Sequence, residues 1–237
     1  MSDSAHLYLA DAYAADVETV LLETGPGAAA LRETPFYPGG GGQPADRGWL
    51  RWSLGEAAVT GHRREGERLW HEVSGELPEP GTPVRAVLDW PQRYAVMRHH
   101  TAVHVLCGVV YHLFGATVTG GQIYADRARM DFTLADLSPD RVAAIEREAN
   151  RVIGEARPIL VRSVTREEFE RLDLVRTAKN LVPAHLQTIR VVEIEGFDAQ
   201  ADGGTHVRNT SEIGALRVVK TENKGKINRR LEIALSV

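Results

Sequence analysis

The sequence predicts an α+β protein, a small N-terminal β-barrel followed by a helix-plus-antiparallel-sheet domain. Two observations carry that prediction. From residue 5 to about 90, short apolar stretches are broken at close intervals by Gly and Pro, the signature of a small barrel or sandwich. Near Asp89 the pattern changes to helical periodicity with recognisable starts and stops, and strands then alternate with helices. The 237 residues suit two modest domains, set at 1–90 and 91–237.

The elements follow in order. Residues 19–22, 47–52 and 84–88 read as strands, and the run Glu76-Leu77-Pro78-Glu79-Pro80-Gly81 is a connection between two of them. A long helix is expected over 91–114, with Pro91 in its first turn and Gly115 as its stop. Its apolar residues run nearly all round, so it should be buried between layers. A second helix opens at Ser138-Pro139-Asp140, a good cap followed by Pro, and Val142, Ile145, Ala149 and Val152 mark its inner face up to Pro158. Strands are expected at 159–164, 188–194, 215–221 and 227–235. A short helix over 166–172 should be capped by Thr165, with Glu168 completing a capping box.

Composition excludes some classes. The chain is 43% hydrophobic and 25% charged, and no apolar run is long enough to span a bilayer. Met1-Ser2-Asp3-Ser4 lacks the basic start and apolar core of a signal peptide, and Cys107 is the single cysteine, so a reducing cytoplasm is the expected location. With a net charge of −4, any contact with a polyanion must come from a local basic patch.

Three histidines stand out. His100 and His104 are four residues apart on the long helix and therefore share a face. His206 closes Asp202-Gly203-Gly204-Thr205-His206. Three imidazoles with a carboxylate nearby suit an open metal site, since a catalytic zinc takes three protein ligands and leaves one position. Cys107 is on the same helix face, but roughly 10 Å along the axis from His100, too far to share an ion. Two further stretches could carry function. Phe36-Tyr37-Pro38-Gly39-Gly40-Gly41-Gly42-Gln43-Pro44 reads as an anchored loop where backbone approaches another group closely, and it lacks the Lys-Ser or Lys-Thr of a phosphate loop. Lys220, Lys224, Lys226, Arg229 and Arg230 crowd a C-terminal hairpin around Asn223-Lys224-Gly225-Lys226, which reads either as an RNA contact or as a solvated sheet edge.

Taken together, these residues resemble a known family. His99-His100-Thr101-Ala102-Val103-His104 and Asp198-Ala199-Gln200-Ala201-Asp202-Gly203-Gly204-Thr205-His206-Val207 look like the two zinc motifs of alanyl-tRNA synthetase editing domains and of the free-standing AlaX trans-editing proteins. The 36–48 stretch resembles their glycine-rich motif, and Lys224-Gly225-Lys226-Ile227-Asn228-Arg229-Arg230 resembles the AlaX C-terminal signature. Length and the β-rich first half are similar to the medium-length AlaX class. The resemblance implies hydrolysis in trans of Ser-tRNA(Ala), or Gly-tRNA(Ala), by a zinc-dependent aminoacyl-ester hydrolase, with Zn2+ on His100, His104, Asp202 and His206. It also implies that Thr34 selects serine through its hydroxyl, that Gln43, Gln200 and Thr205 line the substrate pocket, and that Lys224, Lys226, Arg229 and Arg230 contact tRNA.

One position departs from the family pattern, which usually has Cys where Asp202 stands. A carboxylate can ligate zinc and keeps the ligand charge. Asp202 either binds the metal or orients water or the substrate amine. The metal either polarises water or anchors the aminoacyl group. Two rivals remain. A zinc peptidase would need Glu where Thr101 stands. A non-catalytic zinc- and RNA-binding protein of the same fold would account for the altered ligand.

Overall fold

The computed structural model describes residues 5–66 and 68–236, so the Met1–Ser4 stretch read above lies outside the described residues. The chain divides into two compact units, Met1–Tyr94 and Ala95–Val237. As expected, it is α+β with an N-terminal barrel.

The first unit contains β1 (Ala5–His6), β2 (Asp16–Gly25), β3 (Ala28–Leu31), β4 (Glu33–Thr34), β5 (Gly48–Trp52), β6 (Gly55–Glu65), β7 (Arg68–Ser74) and β8 (Pro83–Leu88). Six of these close a barrel in the order β2-β3-β7-β6-β5-β8, while β1 pairs with β4 alone. Closure leaves no free edge to aggregate. Alternation along the strands sends Val84, Ala86 and Leu88 inward from β8, and Leu21, Leu31, Phe36, Leu50 and Val59 meet them in one core.

The glycine stretch forms a pinned loop. Gly40 and Gln43 exchange two backbone hydrogen bonds, of 3.1 and 2.9 Å, around Gly41 and Gly42. Those two central residues have φ of 59° and 87°, the left-handed pair that a tight type I′ turn requires. Tyr37 and Asp46 clamp the loop base: Tyr37 N–H donates to Asp46 Oδ2 at 2.6 Å, and Asp46 N–H donates to the Tyr37 carbonyl at 2.9 Å. Arg93, 1% exposed, donates through Nε to both Asp46 oxygens and through Nη2 to the Pro35 carbonyl at 2.6 Å.

The long helix α1 (Trp90–Phe114) starts one residue before the expected Pro91, and its residues from Ala95 on belong to the second unit. Thr101 to Val110 are all buried, in keeping with its all-round apolar pattern. Next come β9 (Val118–Ile123), β10 (Ala128–Phe132), α2 (Pro139–Gly154), β11 (Ile159–Thr165), α3 (Arg166–Arg171), β12 (Thr188–Ile194), β13 (Asp198–Ala201), β14 (Ala215–Gly225) and β15 (Asn228–Ser236). They build two antiparallel sheets, β14-β15-β10-β9 and β11-β12-β13. The Ser138 cap and the Thr165–Glu168 capping box both form. Ile145, Ala149 and Val152 are buried as expected, whereas Val142 is only half-buried. The hairpin turn falls at Lys226–Ile227, two residues beyond the expected place, because β14 continues through Asn223 and Lys224 to pair Gly225 with Asn228.

Helix α2 protects an edge. Asn150 accepts from Leu216 N–H at 2.9 Å and donates to its carbonyl at 2.8 Å, and Glu146 accepts from Val218 N–H at 2.8 Å. These side chains occupy β14 backbone groups that would otherwise template another strand. Gly108 of α1 admits the turn after β12. A Cβ there would stand 2.7 Å from a Phe197 ring carbon. The helix accepts the propensity cost of an interior glycine, about 1 kcal/mol, for this approach.

Removing Arg93 leaves the buried Asp46 without its ion-pair partner. Arg93→Met should destabilise the protein by about 3–5 kcal/mol in chemical denaturation. Arg85→Met, which breaks an exposed pair with Asp16, should cost less than about 1 kcal/mol.

Candidate metal centre

The His100/His104 pair projects from the buried middle of α1, where i,i+4 spacing sets the ring centroids 5.1 Å apart. His206 arrives from the loop after β13 and places its ring 4.3 Å from His100 and 4.5 Å from His104. Asp202 completes the group. One ligand atom from each of His100, His104, Asp202 and His206 lies within 4.8 Å of all the others. The three residues singled out by spacing and the carboxylate between them therefore do converge.

The carboxylate is held in one orientation. Asp202 Oδ2 accepts from Gly204 N–H at 2.6 Å and faces His206 Nε2 at 3.1 Å. Oδ1 faces His100 Nε2 at 3.6 Å and His104 Nε2 at 3.9 Å. Ligand atoms on a tetrahedral ion with bonds of about 2.0–2.1 Å stand about 3.3–3.4 Å apart. The observed separations bracket that value, so the donor set fits a small divalent cation. Arg190 fixes the backbone beneath: its carbonyl accepts from Asp202 N–H at 3.1 Å, and its Nη1 donates to the Asp202 carbonyl at 3.0 Å.

Electrostatics prepares the nitrogens as ligands. Burial, reinforced by nearby imidazoles and the Arg190 charge, lowers His100 and His104 from 6.5 to about 3 and His206 to about 4, although Asp202 opposes the shift. Burial alone would raise Asp202, but the surrounding imidazoles and the His206 contact outweigh it and hold the carboxyl well below 3.8. At neutral pH the site thus presents uncharged imidazoles around a carboxylate, the state a metal requires.

A second layer supports His104. Asp198, buried at the start of β13, accepts from Arg176 Nη2 at 2.7 Å and from Gln200 Nε2 at 2.8 Å. The same Gln200 nitrogen donates to the His104 carbonyl at 3.2 Å. Both partners of that nitrogen are acceptors, which fixes the amide orientation and turns Gln200 Oε1 outward from this network as an acceptor. Thr205 is fully buried beside His206. Thr34 and Gln43 belong to the first unit and are buried there. Thr34 Oγ1 lies 2.7 Å from His71 Nε2 and accepts from Phe36 N–H at 3.2 Å. His71 Nδ1 is 3.1 Å from the Ala29 carbonyl, so Nδ1 carries the ring proton and Thr34 donates to Nε2.

In the C-terminal hairpin, Arg230 binds Asp131 through two hydrogen bonds of 2.7 and 2.8 Å, and Arg229 Nη1 reaches Asn223 Oδ1 at 2.9 Å. Lys224 and Lys226 are exposed. Spacing did not single out Thr101, Arg190, Asp198 or Arg176 as site residues. Thr101 and Asp198 stand inside the two histidine motifs, and that proximity was the available signal. Nothing in the sequence marks Arg190 or Arg176.

The comparisons with known proteins agree with this geometry. The family model for the threonyl and alanyl tRNA synthetase second additional domain matches residues 189–232, a span that contains Asp202 and His206. Fold and site thus define a synthetase-type editing module. An alanyl-tRNA editing protein AlaX-M of Methanosarcina barkeri is 39% identical, with 97% of this chain and 98% of the relative covered. The AlaX-M of Saccharolobus solfataricus is 35% identical over 95% of this chain and 96% of its own length. An alanine–tRNA ligase of Pyrobaculum calidifontis is 39% identical over 91% of this chain but only 25% of the ligase. This chain belongs to the AlaX-M family of alanyl-tRNA editing proteins. Among the described residues, no helix is long and apolar enough to cross a membrane.

The lowered imidazoles make stability depend on pH. Below about 6.5 the unfolded chain takes up protons that the native site refuses, so native stability is complete above that value and falls as pH drops towards about 4. His71, lowered by burial to about 3, contributes in the same way from the first unit. In chelator-treated protein the melting temperature should fall steadily over this window. The slope should be shallower in His71→Gln, whatever that variant's stability at neutral pH.

Proposed function

We propose that this chain hydrolyses the ester joining serine, or glycine, to tRNA(Ala), acting in trans in the cytoplasm as a zinc-dependent aminoacyl-tRNA deacylase. Convergence of His100, His104, Asp202 and His206 is the observation that carries this reading, and family membership supplies the substrate class. Such an activity answers a known physical limit. A site built to admit alanine gains too little contact energy to exclude a slightly altered side chain, so a second, hydrolytic site must sort the products.

The roles follow from the chemistry. His100, His104 and His206 offer neutral nitrogens, and Asp202 offers Oδ1, because Oδ2 is already engaged. When bound there, Zn2+ supplies Lewis-acid polarisation of an oxygen. The protein's own groups orient the ester and the attacking water. Thr34 spends its proton on His71, so towards a substrate it can only accept, and a serine hydroxyl provides the matching donor. Thr34 has no exposed surface, so that contact requires local opening of the segment around it. In this reading Gln43 of the first unit, and Gln200 through Oε1 and Thr205 of the second, are further substrate-binding residues. Lys224, Lys226, Arg229 and Arg230 contact the tRNA phosphates, the two arginines from a hairpin that their bonds to Asn223 and Asp131 help to shape.

One observation favours a second reading. With Asp202 included, four protein donors fill a tetrahedral ion, as in structural zinc sites, which suits a non-catalytic zinc- and RNA-binding protein.

Deacylation assays on Ser-, Gly- and Ala-tRNA(Ala), with and without chelator, separate the two. The deacylase reading expects Ser-tRNA(Ala) cleavage that His104→Ala abolishes and chelation suppresses, with Ala-tRNA(Ala) spared. Zinc and tRNA binding without turnover would establish the second reading instead. Thr34→Val should reduce the serine-over-alanine preference by about 1–3 kcal/mol, or roughly 5- to 150-fold; an unchanged ratio removes Thr34 from selection.

A further inference from the structure

Thr101, inside the first histidine motif, makes three contacts through one atom. Its hydroxyl donates to the Met97 carbonyl, one turn back, at 2.9 Å. The same oxygen accepts from Val207 N–H at 3.2 Å and lies 3.2 Å from His206 Nδ1. Thr101 is fully buried, out of reach of bulk solvent. A hydroxyl has one proton and two lone pairs. The Met97 carbonyl, the shortest contact, takes the proton. Val207 N–H, a fixed donor, takes one lone pair. The remaining lone pair faces His206 Nδ1, which must then donate.

We infer that Thr101 is a positioning residue for the metal centre, holding the His206 ring proton on Nδ1 so that the Nε2 lone pair faces Asp202, His100 and His104. The contrary arrangement places the proton on Nε2, hydrogen-bonded to Asp202 Oδ2 across 3.1 Å. That proton would block one ligand and engage a second. The two arrangements differ by one exchange of donor and acceptor at Thr101, so the helix hydroxyl decides between a closed imidazole–carboxylate pair and a donor set open to a cation. Metal-binding histidines generally depend on such a partner for the second ring nitrogen. Here the partner lies next to His100 in sequence, so one helical turn supplies a ligand and also orients the ring of another ligand from more than a hundred residues away.

The inference rests on the metal reading of the site, and the test separates the two. Zn2+ affinity is measured on the full chain by competition with a chromophoric chelator. Wild-type protein that binds no Zn2+ overturns the metal reading itself. If wild type binds, Thr101→Val should weaken binding by about 10- to 100-fold, whereas Thr101→Ser, which keeps the hydroxyl, should bind as wild type does. In a His206→Ala background, Thr101→Val should cause no further loss. A general structural role predicts the opposite there, a loss that persists without the ring. Nitrogen-15 NMR of the histidine rings in chelated protein gives a second readout: Nδ1 of His206 protonated in wild type and Nε2 protonated in Thr101→Val. Should Thr101→Val bind Zn2+ like wild type, should Thr101→Ser fail equally, or should wild-type His206 carry its proton on Nε2, Thr101 does not hold this role.

Discussion

The organising constraint is the crowding of three imidazole nitrogens and a carboxylate within 4.8 Å in a site largely closed to water. Lone pairs and negative charge that face one another in a low-dielectric setting repel, and burial denies the imidazoles the protons that would relieve the repulsion. A cation removes the conflict in one step. The fold must hold a helix face against a distant loop while that conflict stands, and much of the second unit serves this end. The unbroken buried run from Thr101 to Val110 keeps α1 from rotating its histidines away.

Loop placement is secured at both ends of β13. Before it, Gly108 lets the Phe197–Asp198 turn approach the helix backbone, and Asp198 gathers Arg176 and Gln200, the latter reaching the His104 carbonyl. After it, Arg190 binds Asp202 through main chain and side chain. The strand is therefore tied to α1 at one end and to its neighbour β12 at the other, and the four-residue step from Asp202 to His206 is all that remains to be positioned. The Gly204 N–H bond to Asp202 Oδ2 closes that step.

Much of this was legible in the sequence. Helix α1, α2 with its Ser138 cap, the capping box of α3 and strands β11 and β12 follow from local signals that tertiary packing did not overturn. Strands β9 and β10 went unread for different reasons. Gly120-Gly121 in β9 breaks the apolar run that marks a strand, and a Cβ at Gly121 would collide with the Met130 sulfur of its partner. In β10 the buried residues Ala128, Met130 and Phe132 do alternate, but Arg129 and Asp131 make five residues too short and too charged to stand out. The helical histidine pair is visible because i,i+4 spacing is a local property. Arg190 and Arg176 are invisible because their importance comes from sheet register and loop closure, which no short window of sequence contains. The bonds from Arg230 to Asp131 and from Arg229 to Asn223 are invisible in the sequence for the same reason.

The barrel unit poses the matching problem with a different solution. Its glycine loop is conformationally expensive to order, and the means of ordering it is a buried ion pair, Arg93 with Asp46, at 1% and 6% side-chain exposure. Replacing such a pair with apolar residues often raises stability, so net stability is a poor reason for its presence. Specificity is a better one. The three nitrogens of one guanidinium reach the Asp46 carboxylate and the backbone carbonyls of Pro35 and Ala12, and the carboxylate in turn takes Tyr37 N–H. Apolar packing could bury the same volume but could not fix those carbonyls or the path of residues 34–37. Thr34, hydrogen-bonded to His71, lies at the start of that path. Under the selection role proposed for it, that hydroxyl must be aimed to within a fraction of an ångström, and a directional, fully paired charge supplies such an aim where dispersion forces would leave it loose.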